Sequence, residues 1–245
     1  MKLTLTLFFL LLTTISFAQI PSYVPSNGLV GWWPFNGNAN DESGNGNNGT
    51  VYGASLTADR FGVADKAYSF DGVNDYISTS RPGYLSYSIS VWYKIPGPIS
   101  PLSYPIVDGF DSYYDIYFTN QGLFYASFTG INQYSNFNCN LPLNQDQWKH
   151  LIIVYNNNTI FVYSNSVLVY TSNVQPLTGI LGNHFFGASL TGTDQYLNGS
   201  LDDIGIWNRA LTECEIKDLY YAQLGYSTVD AGADQTVCRG DLVTL

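Results

Sequence analysis

The chain has 245 residues and a formal net charge of -10, with 9 Lys and Arg against 19 Asp and Glu. With no basic run, that balance excludes a charge-driven grip on nucleic acid or on anionic membranes. Only 11% of residues are charged while 45% are hydrophobic, with 20 Tyr and 23 Gly, so Asn, Ser, Thr and Tyr must carry solubility. The chain opens with Met1-Lys2, an apolar run from Leu3 to Leu12, and Ser16-Phe17-Ala18 ahead of Gln19. This is the layout of an export signal cleaved after Ala18, too short to span a membrane. A secreted or cell-surface protein is expected.

After a Pro and Ser spacer, Leu29 to Phe35 reads as a first strand, with Pro34 placing it near an edge or its end. The run Asn36 to Gly49 is rich in Gly and Asn, which tolerate left-handed backbone. It reads as a cation-wrapping loop or as a polar loop. Strands are expected at Thr50 to Tyr52, Ala67 to Phe70 and Tyr76 to Thr79, with Asp71 to Asp75 as a hairpin turn between the last two. Tyr87 to Lys94 alternates, Tyr87, Ile89, Val91 and Tyr93 against Ser88, Ser90 and Trp92, so one face should be core.

Further strands are expected at 104–107, 113–118, 123–128, 148–155, 159–164, 167–171 and 184–188, and Ser164-Asn165-Ser166 makes a tight hairpin of 159–163 with 167–170. Leu201 to Trp207 is apolar on both faces and so reads as a central strand. A helix follows: Thr212 and Glu215 stand three apart as a capping box, Leu211 and Ile216 fit a hydrophobic staple, and Lys217 is read near the C-terminal end, where its charge suits the dipole. Short, evenly spaced strands with one late helix predict an all-β sandwich.

The motifs Leu29-Val30-Gly31-Trp32-Trp33-Pro34-Phe35, Asp41 with Ser43-Gly44-Asn45-Gly46, Asp59-Arg60-Phe61-Gly62, Ala67 to Gly72, Asp75-Tyr76-Ile77, Trp148-Lys149-His150, Tyr163 with Asn165, and Leu201 to Tyr220 carry a resemblance. From about residue 26 to 225 the chain resembles a laminin-G-like jelly-roll domain of the concanavalin A-like lectin and glucanase superfamily. The resemblance implies a two-sheet antiparallel jelly-roll sandwich with one short C-terminal helix, and binding of carbohydrate or of a surface protein. The fold alone does not fix which. On this reading residues 1–18 are the signal, 19–225 the domain, and 226–245 a linker with the start of an Ig-like repeat, which Val229 to Cys238 and Leu242 to Leu245 resemble.

Catalysis is not expected. The adjacent carboxylates of Asp202 and Asp203 should point to opposite faces of a strand and so cannot flank one glycosidic bond. His150 and His184 lie in strand-like runs, no serine sits in a nucleophile-elbow setting, and no two Cys are close enough for zinc. A buried Asp203 needs a cation or several donors. Either a calcium ion on Asp41, Asp203 and Asp71, with Asp75 a further candidate, or Arg60 and backbone amides would serve. The loops carrying Tyr113, Tyr114, Tyr134, Asp194 and Tyr196 combine aromatic rings with Asn and Asp, the chemistry that stacks and bonds sugars, although packing uses the same residues. Among the 3 Cys, Cys139 and Cys214 are expected to pair, or to be independent buried thiols, with Cys238 unpaired.

Overall fold

The computed structural model describes residues 20–81, 87–96, 104–109, 114–118, 124–130, 133–139, 146–173, 182–189 and 195–226. The signal segment, Cys238 and the Ig-like stretch beyond Tyr226 lie outside them. In chain order the strands begin with β1 Leu29–Trp33, β2 Thr50–Tyr52, β3 Ser55–Thr57, β4 Ala67–Asp71, β5 Tyr76–Arg81 and β6 Tyr87–Lys94. Next come β7 Tyr104–Gly109, β8 Tyr114–Phe118, β9 Phe124–Gly130, β10 Gln133–Asn138, β11 Lys149–Asn156 and β12 Thr159–Ser164. The chain closes with β13 Val167–Asn173, β14 Gly182–Phe186, β15 Ala188–Ser189, β16 Gln195–Tyr196, β17 Asn198–Trp207 and helix α1 Glu213–Gln223. Among the described residues no helix is long and apolar enough to cross a membrane.

Two antiparallel sheets form the sandwich. The first runs β13-β12-β11-β6-β17-β4-β3 with β1 also on β17, and the second runs β10-β9-β8-β7-β14-β5-β2. The alternate residues of β6, Tyr87, Ile89, Val91 and Tyr93, join Phe70, Ile77, Ile106, Val107, Ile153 and Phe186 in the core. The other face of β6 is buried as well, because α1 covers it. Val24, Trp32, Trp207, Leu211, Ile216 and Leu219 form a second cluster beneath the helix. Ser88 Oγ there donates to the Arg209 carbonyl and accepts from Leu211 N, both at 2.9 Å.

The capping box is present: Thr212 accepts from Glu215 N, and Glu215 accepts from Thr212 N. Leu211 and Ile216 are both buried, as a staple requires. Lys217 is not near the C-terminal end, since the helix continues to Gln223 and has no basic residue in its last turn. Gly225, at φ 81, then takes the left-handed conformation that stops the helix.

Two expectations are corrected. Asp71 to Asp75 is not a hairpin turn, because β4 pairs with β3 and β17 in the first sheet while β5 pairs with β2 and β14 in the second. The turn chemistry is real, with Val73 N on Asp71 Oδ1 at 2.8 Å and Asp71 N on Asp75 Oδ2 at 3.0 Å. It makes a corner between layers instead. Cys139 and Cys214 do not pair: Cys139 is a free, buried thiol in the inter-sheet core, and burial pushes it up to about 12. Cys214 sits in the first turn of α1, on the outer side of the first sheet, so a sheet separates the two. It is disulfide-bonded, to a partner outside the described residues.

Candidate functional site

The closing strand changes partners midway. Residues 198–201 of β17 pair with β4 and residues 204–207 with β1, while β6 lies along the other side. At the handover the register shifts between Asp202 and Gly205, and Asp203 takes φ 46, a left-handed value that Asp tolerates better than most residues. Its N–H donates to Asp202 Oδ1 at 2.8 Å. This bulge overturns the expected alternation: Leu201, Ile204 and Ile206 share the core, and both carboxylates meet one cation. Arg60 Nη1 contacts Asp202 Oδ2 and Nη2 contacts Asp203 Oδ2, each at 2.8 Å.

Arg60 is held from every side. Its Nε and Nη2 donate to the Gln223 carbonyl at 3.0 and 2.7 Å, and the guanidinium lies 4.6 Å over the Trp92 ring. Trp92 Nε1 donates to Gln223 Oε1 at 2.9 Å and the ring stacks on His150 and Tyr220. The clamp thus ties the 58–66 loop, β17, β6 and the end of α1. Burial, then the Asp203 charge, pushes the Asp202 carboxyl up to about 9 against the pull of Arg60. Burial raises Asp203 as well, with Arg60 opposing. One guanidinium cannot neutralise two buried carboxylates, so the pair keeps a proton at neutral pH.

A pocket of about 200 Å³ opens beside the clamp, lined by Tyr23, Glu42, Asp59, Arg60, Lys66 and Asp203 among others. Burial and then the Asp203 charge push Tyr23 up to about 12. A glycosidase pair needs open space between its carboxyls for a sugar and, in inverting enzymes, a water. Here the guanidinium stands in that space. His150 is fully buried with Nε2 2.8 Å from Ser90 Oγ, and burial followed by the Arg60 charge lowers it to about 3. It is neutral and out of reach of any substrate.

The expected calcium ligands are not brought together. Asp41 Oδ1 accepts from Trp32 N and Ser43 N, and its Oδ2 accepts from Asn47 N, at 2.8 to 3.0 Å. Asn45 and Asn47 side-chain amides both donate to the Val30 carbonyl, closing the loop onto β1. Asp71 caps its own corner, and Asp203 is committed to Arg60. Among the described residues no group of three or more His, Cys, Asp or Glu could hold a metal ion. Backbone amides and Arg60 meet the carboxylates' demand, one of the two solutions the sequence left open.

Of the expected sugar-binding residues, Tyr113 and Asp194 lie outside the described residues. Tyr114 falls on β8 and Tyr134 on β10, with β9 between them: Tyr114 is opposite Phe128 and Tyr134 opposite Thr129. Tyr196 is half-buried on β16. Burial, then the charges of Tyr52 and Tyr196, raise the Tyr76 hydroxyl. Tyr76 is the centre of an aromatic group that sequence reasoning missed. Tyr52 on edge strand β2 is opposite Tyr76, their rings stacked at 4.4 Å and 15°, and Phe185 meets Tyr76 edge-on at 5.9 Å. Tyr52 is 46% exposed. The available signal was Tyr76 alternating with the core residue Ile77.

A laminin G family model, described as the concanavalin A-like lectin/glucanases superfamily, matches residues 71–217. The chain belongs to this superfamily. No curated protein matches this laminin-G-like chain at a comparable level. Its fold is similar to domain 4 of AbnA, an extracellular arabinanase from Geobacillus stearothermophilus solved with arabinotriose, at 21% identity and TM-score 0.63 over 78% of this chain and 98% of that one. It is also similar to the binding domain of Paraclostridial Mosquitocidal Protein 1, at 19% identity and TM-score 0.67 over 81% of this chain and 53% of that one. A third is the botulinum neurotoxin serotype D ligand-binding domain solved with N-acetylneuraminic acid, at 17% identity and TM-score 0.66 over 81% and 52%. The chain spans about half the length of these toxin domains, and all three likenesses are likenesses of fold.

Proposed function

We propose that this domain, once exported, is a non-catalytic recognition module that binds carbohydrate on the outer face of its second sheet. The observation that carries the reading is the Tyr52–Tyr76 stack at a sheet edge, with Tyr52 exposed and Tyr76 half-buried. Exposed aromatic rings offer apolar faces to the C–H side of a sugar while their hydroxyls remain free to hydrogen-bond. The fold likeness to the whole of an arabinanase domain solved with arabinotriose supports it. A protein partner is the second reading, favoured by β13, the edge strand of the first sheet among the described residues, whose consecutive Val167, Leu168 and Val169 are all exposed.

Binding of the purified domain to a panel of polysaccharides by affinity electrophoresis tests the first reading. Retardation by at least one glycan, weakened in Tyr52→Ala, is expected. Retardation by none, with capture of a protein partner lost in Leu168→Lys, would transfer the role to β13. Release of reducing sugar from any polysaccharide would end the non-catalytic reading.

A further inference from the structure

We infer that the Tyr52–Tyr76 face takes an uncharged polysaccharide, holding a short internal stretch of it rather than an acidic or terminal sugar. The inference rests on the glycan reading above and concerns the same site. Its first support is the chemistry of the face. Along β5, Ile77 and Thr79 are buried while Tyr76 and Ser78 are half-buried and Ser80 is exposed, so the last three share the outer side. Register places Thr50 opposite Ser78, Tyr52 opposite Tyr76, and Asn183 opposite Ser80. Ser80 Oγ donates to Asn47 Oδ1 at 2.9 Å, extending the polar side towards the first loop.

Every one of those outward residues is uncharged. A uronate or sialate carboxylate is ordinarily met by an Arg fork or a Lys, and this row supplies neither. The net charge of -10 adds a long-range repulsion for acidic glycans. Hydroxyl and amide groups, in contrast, suit neutral sugar hydroxyls as both donor and acceptor.

The second support is shape. Among the described residues β2 is the edge strand of the second sheet, and no further strand walls the face beyond Tyr52. From Tyr76 to Ser80 the outer row spans four residue steps, roughly 13 Å at the usual strand rise. A chain that crosses this row from β5 over Tyr52 can continue past the open edge, whereas a terminal sugar would need a closed end.

Titration calorimetry with neutral arabino- and xylo-oligosaccharides of increasing length, and with polygalacturonate and sialyllactose, reads both parts. Neutral ligands are expected to bind more tightly as they lengthen, with little dependence on salt. Tyr52→Ala and Tyr76→Ala should each weaken binding about tenfold, ~1.4 kcal/mol, while Tyr52→Phe, which keeps the ring, retains most of it. Binding of the acidic ligands, lost in Tyr52→Ala, would overturn the substrate class while leaving glycan recognition at this site intact. A monosaccharide bound as tightly as the longest oligomer would overturn the internal-stretch mode. Neutral binding unchanged in both alanine variants would overturn the location, and binding of no glycan would remove the parent reading itself.

Discussion

Replacing Arg60 by Met keeps an apolar stem and deletes the cation that two buried carboxylates share. The side chains of Arg60, Asp202 and Asp203 are 9%, 3% and 11% exposed, so solvent can take over little of the lost interaction. The pair already shares one proton, with Asp202 pushed up to about 9 by burial and by Asp203. Without Arg60, the second carboxylate must take one up too. At pH 7 that costs about 4 kcal/mol, ~1.36 kcal/mol for each pH unit above an ordinary Asp pKa of ~3.9. The figure falls within the ~3–5 kcal/mol typical of breaking a buried pair, and is a large share of the ~5–15 kcal/mol that stabilises a domain. At pH 5 the same uptake costs only ~1.5 kcal/mol. Urea denaturation of wild type and Arg60→Met at both pH values is the assay. A loss below ~1 kcal/mol at pH 7 would refute the clamp, since that is no more than an exposed pair contributes. A loss that failed to shrink at pH 5 would refute the proton argument.

Asp202→Asn should flatten the pH dependence of stability. Between an ordinary Asp pKa of ~3.9 and about 9 the folded state holds a proton that the unfolded chain has released, so stability falls as pH rises through that window. His150, lowered to about 3, works oppositely: below ~6.5 the unfolded chain binds a proton the folded state refuses, so stability falls on acidification. The two offset each other in the overlap, leaving a wild-type melting temperature that declines from pH ~6.5 towards 9; a flat profile there, or an unaltered slope in Asp202→Asn, would count against the pair. Asp41→Ala strands the Trp32, Ser43 and Asn47 amides and should cost about 1–3 kcal/mol, the usual penalty for a buried group left unsatisfied. Because those amides already saturate Asp41, melting temperatures with calcium and with chelator are expected to agree, and a rise with calcium would restore the cation as the loop's support. Iodoacetamide should leave Cys139 unmodified in the native protein and alkylate it after unfolding under non-reducing conditions, whereas Cys214 should stay blocked until reduction; rapid native alkylation of Cys139 would contradict its burial.

Local rules and global packing divide this molecule cleanly. The strand alternation of Tyr87 to Lys94, the 159–164 and 167–173 hairpin and the Thr212–Glu215 capping box are all written within a few residues, because pleat, turn and cap depend on neighbours in the chain. The motif order from Leu29 to Tyr220 was likewise enough to reach the superfamily. What needed the tertiary structure is everything that depends on which layer a segment joins. Asp71 to Asp75 has identical turn chemistry whether β4 and β5 pair or part, and only the competition among strands for two sheets sends them apart. The bulge at Asp203 arises where β17 trades β4 for β1, so alternation read from the residues alone assigned the two carboxylates to opposite faces. Arg60 reaches them from more than 140 positions away in the chain, a separation over which no periodicity carries information. Tyr52 and Tyr76 were visible as strand residues, but their stacking follows from β2 pairing with β5 across a loop and two intervening strands. In each case the deciding energy is burial between layers, and a linear pattern records which residues are apolar without recording what will cover them.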